Sequence, residues 1–326
     1  MIARFIIHHI WLLDLLFLLV VPAILLAVFL IRRRRGHKSL TASLLPLAAI
    51  VIAAAYGYGR FVETEQLEVR HLELSFDDLP QEFDGYRLVQ VSDLHLGSLS
   101  DDMLRRVVDS INAQKPGLIL FTGDMINCKA AETDHHLPQL KRLKAQDAVC
   151  AVLGNHDYGY YESADPHDAS IQEGTLTTTQ MEDLKWRVLR NGYRYVRRGE
   201  HRLVIAGMEN DAGDSSPYHP QKGNLNIALD GVRRSDFVVM LEHDPTCWRR
   251  KILRHCHAQL TLSGHTHGGQ FSIFGWSPVV LRYREYEGLY TIHGRHLYVS
   301  KGVSGAIPFR LGAKPEIVQI TLRKKL

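Results

Sequence analysis

Five short polar segments, each following an apolar, β-prone run, constrain this fold more than any other feature of the sequence. They are SDLH (Ser92–His95), GD (Gly123–Asp124), GNHD (Gly154–Asp157), EHDP (Glu242–Pro245) and GHTH (Gly264–His267). A short run of apolar and β-branched residues bounded by turn formers reads as a buried strand. Strands are expected at Tyr86–Val91, Leu118–Phe121, Val149–Leu153, Arg202–Ala206, Phe237–Leu241, Gln259–Leu262, Leu297–Ser300 and Glu316–Leu322. Between them the period changes. Ser100 reads as an N-cap, and Met103, Leu104, Val107, Val108 and Ile111 follow at helical spacing until Pro116–Gly117. His136–Gln146, residues 175–190 and Thr246–Arg254 read as further helices, and residues 62–85 as a first strand and a turn. This order predicts an α/β fold, with mixed β-sheets sandwiched between helices.

That fold has a consequence for the polar segments. In open α/β sheets, ligands gather beyond the carboxyl ends of the strands. Asp93, Asp124, Asn155, His243 and His265 all stand one to three residues past an apolar strand, so they are expected to converge. Asp93 and His95 alternate with Leu94, and in an extended continuation both point the same way. His265 and His267 flank Thr266, and Gly268–Gly269 leave room for a phosphate to approach the backbone. Each segment alone is a weak signal: a GD is usually a turn, and a lone histidine is usually structural. Together they offer enough oxygen and nitrogen donors for two divalent cations sharing a carboxylate. Paired metals suit in-line displacement at phosphorus, so cleavage of a phosphate ester is the first expectation. The donors are imidazole, carboxylate and amide without thiolate, which favours Mn²⁺, Fe or Zn²⁺.

The charge is unevenly placed. Residues 1–61 hold seven basic side chains and one acid, Asp14, and so carry +6 of a net +4, leaving −2 for the remainder. The catalytic portion is therefore not basic, and a nucleic-acid partner is not expected. Residues 10–31 are almost wholly apolar, with Pro22 in mid-run, and about 20 such residues cross a bilayer core. A second uncharged run, Leu40 to Gly59, ends in Tyr56, Tyr58 and Arg60, an interfacial signature. The basic stretch Arg32–Lys38 between them is expected to stay cytoplasmic. Residues 1–61 then form a transmembrane hairpin in the inner membrane, and the domain at 62–326 lies on the outer side. The alternative is that the second run is an amphipathic or buried segment, which would leave that domain in the cytoplasm. The four cysteines, Cys128, Cys150, Cys247 and Cys256, have no CxxC spacing, so a zinc knuckle or redox motif is not expected.

The ordered set D-x-H, GD, GNHD, H and GHTH resembles the calcineurin-like metallophosphoesterases over roughly residues 86–322. GHTHGGQ (Gly264–Gln270) and LYVSKGVSGAIPFRLGAKPEI (Leu297–Ile317) resemble its bacterial membrane-attached branch, which includes phosphodiesterases and UDP-2,3-diacylglucosamine pyrophosphatase-like enzymes. The sequence departs from the pattern at no ligand position. The resemblance implies a metallophosphoesterase-type sandwich with one metal on Asp93, His95, Asp124 and His267. A second would sit on Asp124, Asn155, His243 and His265, with Asp124 bridging and a hydroxide between the metals attacking phosphorus. It implies that His156 faces the substrate, stabilising charge or protonating the leaving oxygen. Asp157 is a candidate for orienting His156, its bland alternative being a turn cap.

The expected substrate is a phosphodiester or a pyrophosphate, including a lipid-linked one. The runner-up is a UDP-2,3-diacylglucosamine pyrophosphate hydrolase of lipid A synthesis. A catalytically silent scaffold on the same fold should have lost ligands, and this chain keeps the set. No obligate protein partner is implied. Arg310 is expected either to clamp a phosphate or to pair with Glu316. The loop Tyr158–Gly174, with three tyrosines, is expected to line the pocket or simply to be solvated.

Overall fold

A computed structural model describes residues 9–36, 43–162 and 173–325. His37 and Lys38 of the basic stretch and residues 163–172 of the tyrosine-rich loop lie outside the described residues.

Strands β1 (Glu68–Phe76), β2 (Arg87–Val91), β3 (Leu118–Thr122), β4 (Ala148–Val152) and β5 (Arg187–Val188) form one sheet with β12 (Glu316–Lys324). The second holds β6 (Gly192–Arg198), β7 (His201–Gly207), β8 (Phe237–Leu241), β9 (Leu260–Ser263), β10 (Gly288–Ile292) and β11 (Arg295–Val299). The orders are β1-β12-β2-β3-β4-β5 and β10-β11-β9-β8-β7-β6. Both sheets are mixed. β2, β3, β4 and β5 run parallel, as do β7, β8, β9 and β11, with antiparallel pairs at β12–β2, β6–β7 and β10–β11.

The period of two along each strand divides the core. Leu88, Leu118, Leu120, Cys150, Val152, Leu203, Ile205, Phe237, Val239 and Leu241 turn inward and fill the space between the sheets. Val89, Val91, Ile119 and Phe121 turn outward and pack on the helix Asp101–Ala113 through Met103, Leu104, Val107, Val108 and Ile111. That helix starts where Ser100 Oγ accepts the Met103 amide at 3.1 Å. On the far side, Val204, Ala206, Val238 and Met240 pack against Trp248 and Ile252. The result is helix, sheet, sheet, helix, the sandwich expected from the sequence.

Three local expectations differ. The stretch 136–146 is α-helical only at Leu137–Leu140, directly after a 3₁₀ turn that ends at His136. The Gln146 and Asp147 amides pair with the carbonyls of Pro116 and Gly117 and lead the chain straight into β4. The helix begun at Glu173 ends at Asp183, because Lys185 adopts φ 63° and the Trp186 amide closes back on Met181 at 3.0 Å. Arg187–Val188 then pairs with β4. Strand β6 was not expected, since its tyrosines and arginines mask the alternation on this half-exposed edge.

Before the sandwich stand two helices long and apolar enough to cross a membrane, Ile10–Arg34 and Leu45–Glu65, of 25 and 21 residues. They pack antiparallel. Phe17 stacks on Tyr56 with centroids 5.0 Å apart, while Asp14 accepts from Tyr56 Oη at 2.8 Å and Arg60 Nε at 3.2 Å. Ahead of Pro22 the helix widens to π geometry over Leu16–Val20, a local adjustment that accommodates a residue lacking an N–H.

Candidate metal centre

All five polar segments emerge at the carboxyl ends of β2, β3, β4, β8 and β9, and they meet. Ligand atoms of Asp93, His95, Asp124 and His267 lie within 4.8 Å of one another. Asp124 Oδ2 lies 3.5 Å from His95 Nε2 and 3.2 Å from His243 Nε2. His267 Nε2 is 3.8 Å from Asp93 Oδ1, and His265 Nδ1 is 2.8 Å from Asn155 Oδ1. The His243 and His265 rings are 5.1 Å apart and those of His95 and His267 5.2 Å. The two groups of donors thus meet at one carboxylate.

The backbone does not bring Asp93 and His95 together by extension, as alternation implied. Both are left-handed, with φ 54° and 44°. Asp124, His265 and His267 are left-handed too, at 60°, 73° and 53°. Such backbone costs of the order of 1–3 kcal/mol per residue and persists where the surroundings over-determine it. Here they do: the Asp93 amide donates to Gly123 O at 2.9 Å, and the His95 amide to Asp124 O at 3.1 Å. The glycines of GD and GNHD permit this closeness. A Cβ on Gly154 would lie 2.2 Å from Asp124 Oδ1, and one on Gly123 2.6 Å from His243 Nδ1.

Neighbouring groups fix the imidazoles. His243 Nδ1 donates to Thr122 O at 2.7 Å and His95 Nδ1 to Asn127 Oδ1 at 3.1 Å, which presents Nε2 of each ring to the centre. His95 Nε2 and His267 Nδ1 are buried and make no hydrogen bond. Buried polar atoms are normally satisfied, and cations among these donors would satisfy them. The residues therefore fit divalent metals.

Burial pulls the His95 imidazole down to about 3, with His156 adding to it, so the ring is neutral. Burial pushes Asp93 up to about 6 against the pull of His243. Burial opposes charge on His243, but Asp124 and Asp93 overcome it and hold the ring up at about 10. Burial likewise pushes Asp124 up, but His243 and His156 outweigh it and keep the carboxylate ionised.

His156 stands at the same cluster. Its amide donates to Asp124 Oδ1 at 2.9 Å, its ring stacks on Tyr161 with centroids 4.0 Å apart, and its edge meets His95 at 4.7 Å. Its Nδ1 donates to Asn127 O at 2.6 Å, leaving Nε2 as the nitrogen able to meet a substrate oxygen. Of the two readings of Asp157, orienting that ring or capping a turn, its hydrogen bonds match the cap. Its carboxylate accepts the amides of Asp124 (2.9 Å), Met125 (2.7 Å), Ile126 (3.3 Å) and Gly154 (2.8 Å), and so shapes the Asp124 loop.

Arg310 takes neither expected role. It is fully buried and donates to the carbonyls of Ser304 (2.5 Å), Lys301 (2.7 Å), His267 (3.2 Å), Ala313 (3.2 Å) and Gly302 (3.3 Å). Glu316 pairs instead with Lys301 Nζ at 3.4 Å.

Three contributors were not among the site residues expected from the sequence, although Tyr161 belongs to the tyrosine-rich loop expected to line the pocket. Asn127 serves both His95 and His156, Tyr161 provides the stacking face, and Tyr283 Oη lies 2.9 Å from His265 Nε2. Asn127 had a further cue in its place three residues after Asp124.

Comparison with known proteins agrees with this geometry. Residues 86–269 match the calcineurin-like phosphoesterase family model. The chain is 31% identical over 301 residues to the uncharacterized metallophosphoesterase YkuE of Bacillus subtilis, covering 89% of this chain and 97% of that one. It is 26% identical to the UDP-2,3-diacylglucosamine pyrophosphatase LpxG of Chlamydia trachomatis, over 85% of this chain and 95% of that one. It is 25% identical to a transmembrane protein with metallophosphoesterase domain from Danio rerio, covering 85% of this chain but 62% of that one. The chain belongs to the calcineurin-like phosphoesterase family and is a metal-dependent phosphoester hydrolase.

Proposed function

We propose that this protein is a membrane-anchored hydrolase of phosphodiester or pyrophosphate bonds that works with two divalent cations. Asp93, His95, Asp124 and His267 would hold one, and Asp124, Asn155, His243 and His265 the other. The observation that carries this reading is the position of Asp124 Oδ2, which faces His95 Nε2 and His243 Nε2 from opposite groups of donors at 3.5 and 3.2 Å. When bound, such a pair supplies Lewis-acid polarisation of the phosphoryl oxygens and a nucleophilic water near neutral pH.

The chain's own residues do the rest. The tautomers fixed by Thr122 and Asn127 pre-orient the donor nitrogens. His156, held by Asn127 and stacked on Tyr161, places Nε2 to stabilise developing charge or to protonate the leaving oxygen. The anchoring rests on the two long apolar helices and the basic residues Arg32–Arg35 between them, which favour an outward-facing domain. A second reading, hydrolysis of a nucleotide-linked acylated sugar diphosphate, draws on the similarity to LpxG. A nucleotide substrate is cytoplasmic, so it requires the opposite topology.

The test is hydrolysis of bis(p-nitrophenyl) phosphate by the full chain in detergent. Chelation should abolish turnover and Mn²⁺ should restore it. Asp124→Asn should remove turnover and lower bound metal, whereas an unchanged rate in that variant would overturn the bridging assignment. A reporter fused after residue 326 decides between the two substrate readings by the side of the membrane on which it is active.

A further inference from the structure

One stretch of surface is ill suited to water. Segment 271–284 (FSIFGWSPVVLRYR) leaves the centre just after His267–Gly269 and returns to it, where Tyr283 Oη meets His265 Nε2. Within it the Ile273 amide donates to Trp276 O at 2.9 Å and the Trp276 amide to Ile273 O at 3.0 Å, closing a two-residue hairpin. Its tip residues, Phe274 and Gly275, have φ 51° and 79°. Positive φ at both central positions defines the turn that Asn-Gly or Asp-Gly adopts at least cost. A phenylalanine there is strained. It is also the most exposed large apolar side chain among the described residues, at 105%. Ile273, Trp276, Val280 and Leu281 are exposed as well, giving five exposed apolar side chains within nine residues. Arg282 and Arg284 follow, both more than half exposed.

Strain without burial gains nothing in water, and exposed apolar patches rimmed by polar residues mark binding surfaces. What covers this one follows from where it is rooted. The Ser272 amide donates to Leu311 O at 2.7 Å. Beside Leu311, the Arg310 amide donates to Gly59 O at 3.0 Å, and Phe309 stacks on Tyr56 with centroids 5.6 Å apart. The hairpin therefore hangs from the Phe309–Leu311 segment, which touches the sandwich-side end of the second apolar helix. Aromatic tips flanked by arginines fit the boundary between acyl chains and anionic headgroups.

We propose that the Ile273–Trp276 hairpin, together with Leu281, inserts into the same bilayer as the two helices. This seats the mouth of the metal centre against the membrane surface, where a lipid-linked phosphate ester would present its headgroup. The proposal rests on the membrane-anchored reading above.

The test uses the full chain in vesicles of three parts phosphatidylcholine to one part phosphatidylglycerol. An environment-sensitive fluorophore is attached in turn at Phe274→Cys, at Ile24→Cys in the first helix and at Ile227→Cys on the sandwich, in a Cys256→Ser background. Cys128, Cys150 and Cys247 are buried and stay in place. Acyl-chain spin labels should remove most of the emission at positions 24 and 274, and aqueous iodide most of it at 227. Quenching at 24 without quenching at 274 overturns the hairpin proposal alone. No lipid quenching at 24 overturns the anchored reading and this proposal with it. Equal lipid quenching at 227 and 274 overturns the specificity of the tip.

Discussion

The Arg310 amide donates to the Gly59 carbonyl at 3.0 Å, which joins the last turn of the second apolar helix to the arginine that braces the His267 loop. Burial pulls the Arg310 guanidinium down to about 10, which leaves it charged, and the surrounding carbonyls take its protons. The helical pair and the metal centre therefore share one strut. Glu63 adds to it by accepting the Gly312 amide at 3.0 Å.

Gly59 tests that strut. A Cβ there would lie 2.7 Å from Arg310 O and 2.6 Å from the Phe309 ring. Gly59→Val should part the helix from the loop, lowering stability by about 1–3 kcal/mol as overpacked sites do. The readout is the thermal midpoint of the full chain in detergent, together with a fall in bound metal as His267 loses its brace. An unchanged midpoint would mean the contact contributes nothing.

His156 should matter for rate and not for metal loading. His156→Gln is expected to lower kcat by about 10²- to 10⁴-fold, the range for a positioned acid or charge stabiliser. Metal content by elemental analysis should stay at the parent value. A loss of metal equal to the loss of rate would place His156 among the ligands instead.

Asp157 should matter for folding. Its carboxylate receives four backbone amides that form the Asp124 turn. Asp157→Ala leaves those buried donors unsatisfied, and a cost of about 3 kcal/mol is expected. Thermal unfolding with and without Mn²⁺ measures it. A fully stable but slow variant would restore the orienting role expected from the sequence.

Asp236 gives a pH signature far from the chemistry. Burial pushes its carboxyl up, but the bidentate Arg202 fork at 2.8 and 2.7 Å and the Arg233 amide outweigh it and hold it below the usual range. The folded pKa is thus below the unfolded value. The stability it contributes is full above the unfolded pKa of about 3.9 and is lost as pH falls through the folded one. Asp236→Asn should therefore cost about 1–2 kcal/mol between roughly pH 6 and 8 and progressively less below about pH 4. Parallel melts of both proteins across that range check the sign.

The amino-acid sequence alone determined the layers and the meeting place. Period-two runs such as Leu118–Phe121 and Phe237–Leu241 bury one face between the sheets and the other under helices, and this alternation is local. A polar residue just past such a run is carried to the strand's carboxyl end, so Asp93, Asp124, Asn155, His243, His265 and His267 were legible as one group. What the tertiary structure decided is how those groups are held. The left-handed turns at Asp93 and His95 exist because the neighbouring Gly123–Asp124 backbone captures their amides, a contact across about 30 positions. The partner of His156 is a carbonyl at Asn127, and Arg310 braces carbonyls from five separate positions instead of binding an anion. Spacing along a chain encodes which side chains share a face. It does not encode which hydrogen-bond acceptors, supplied by distant backbone, will be nearest once the sheets have packed.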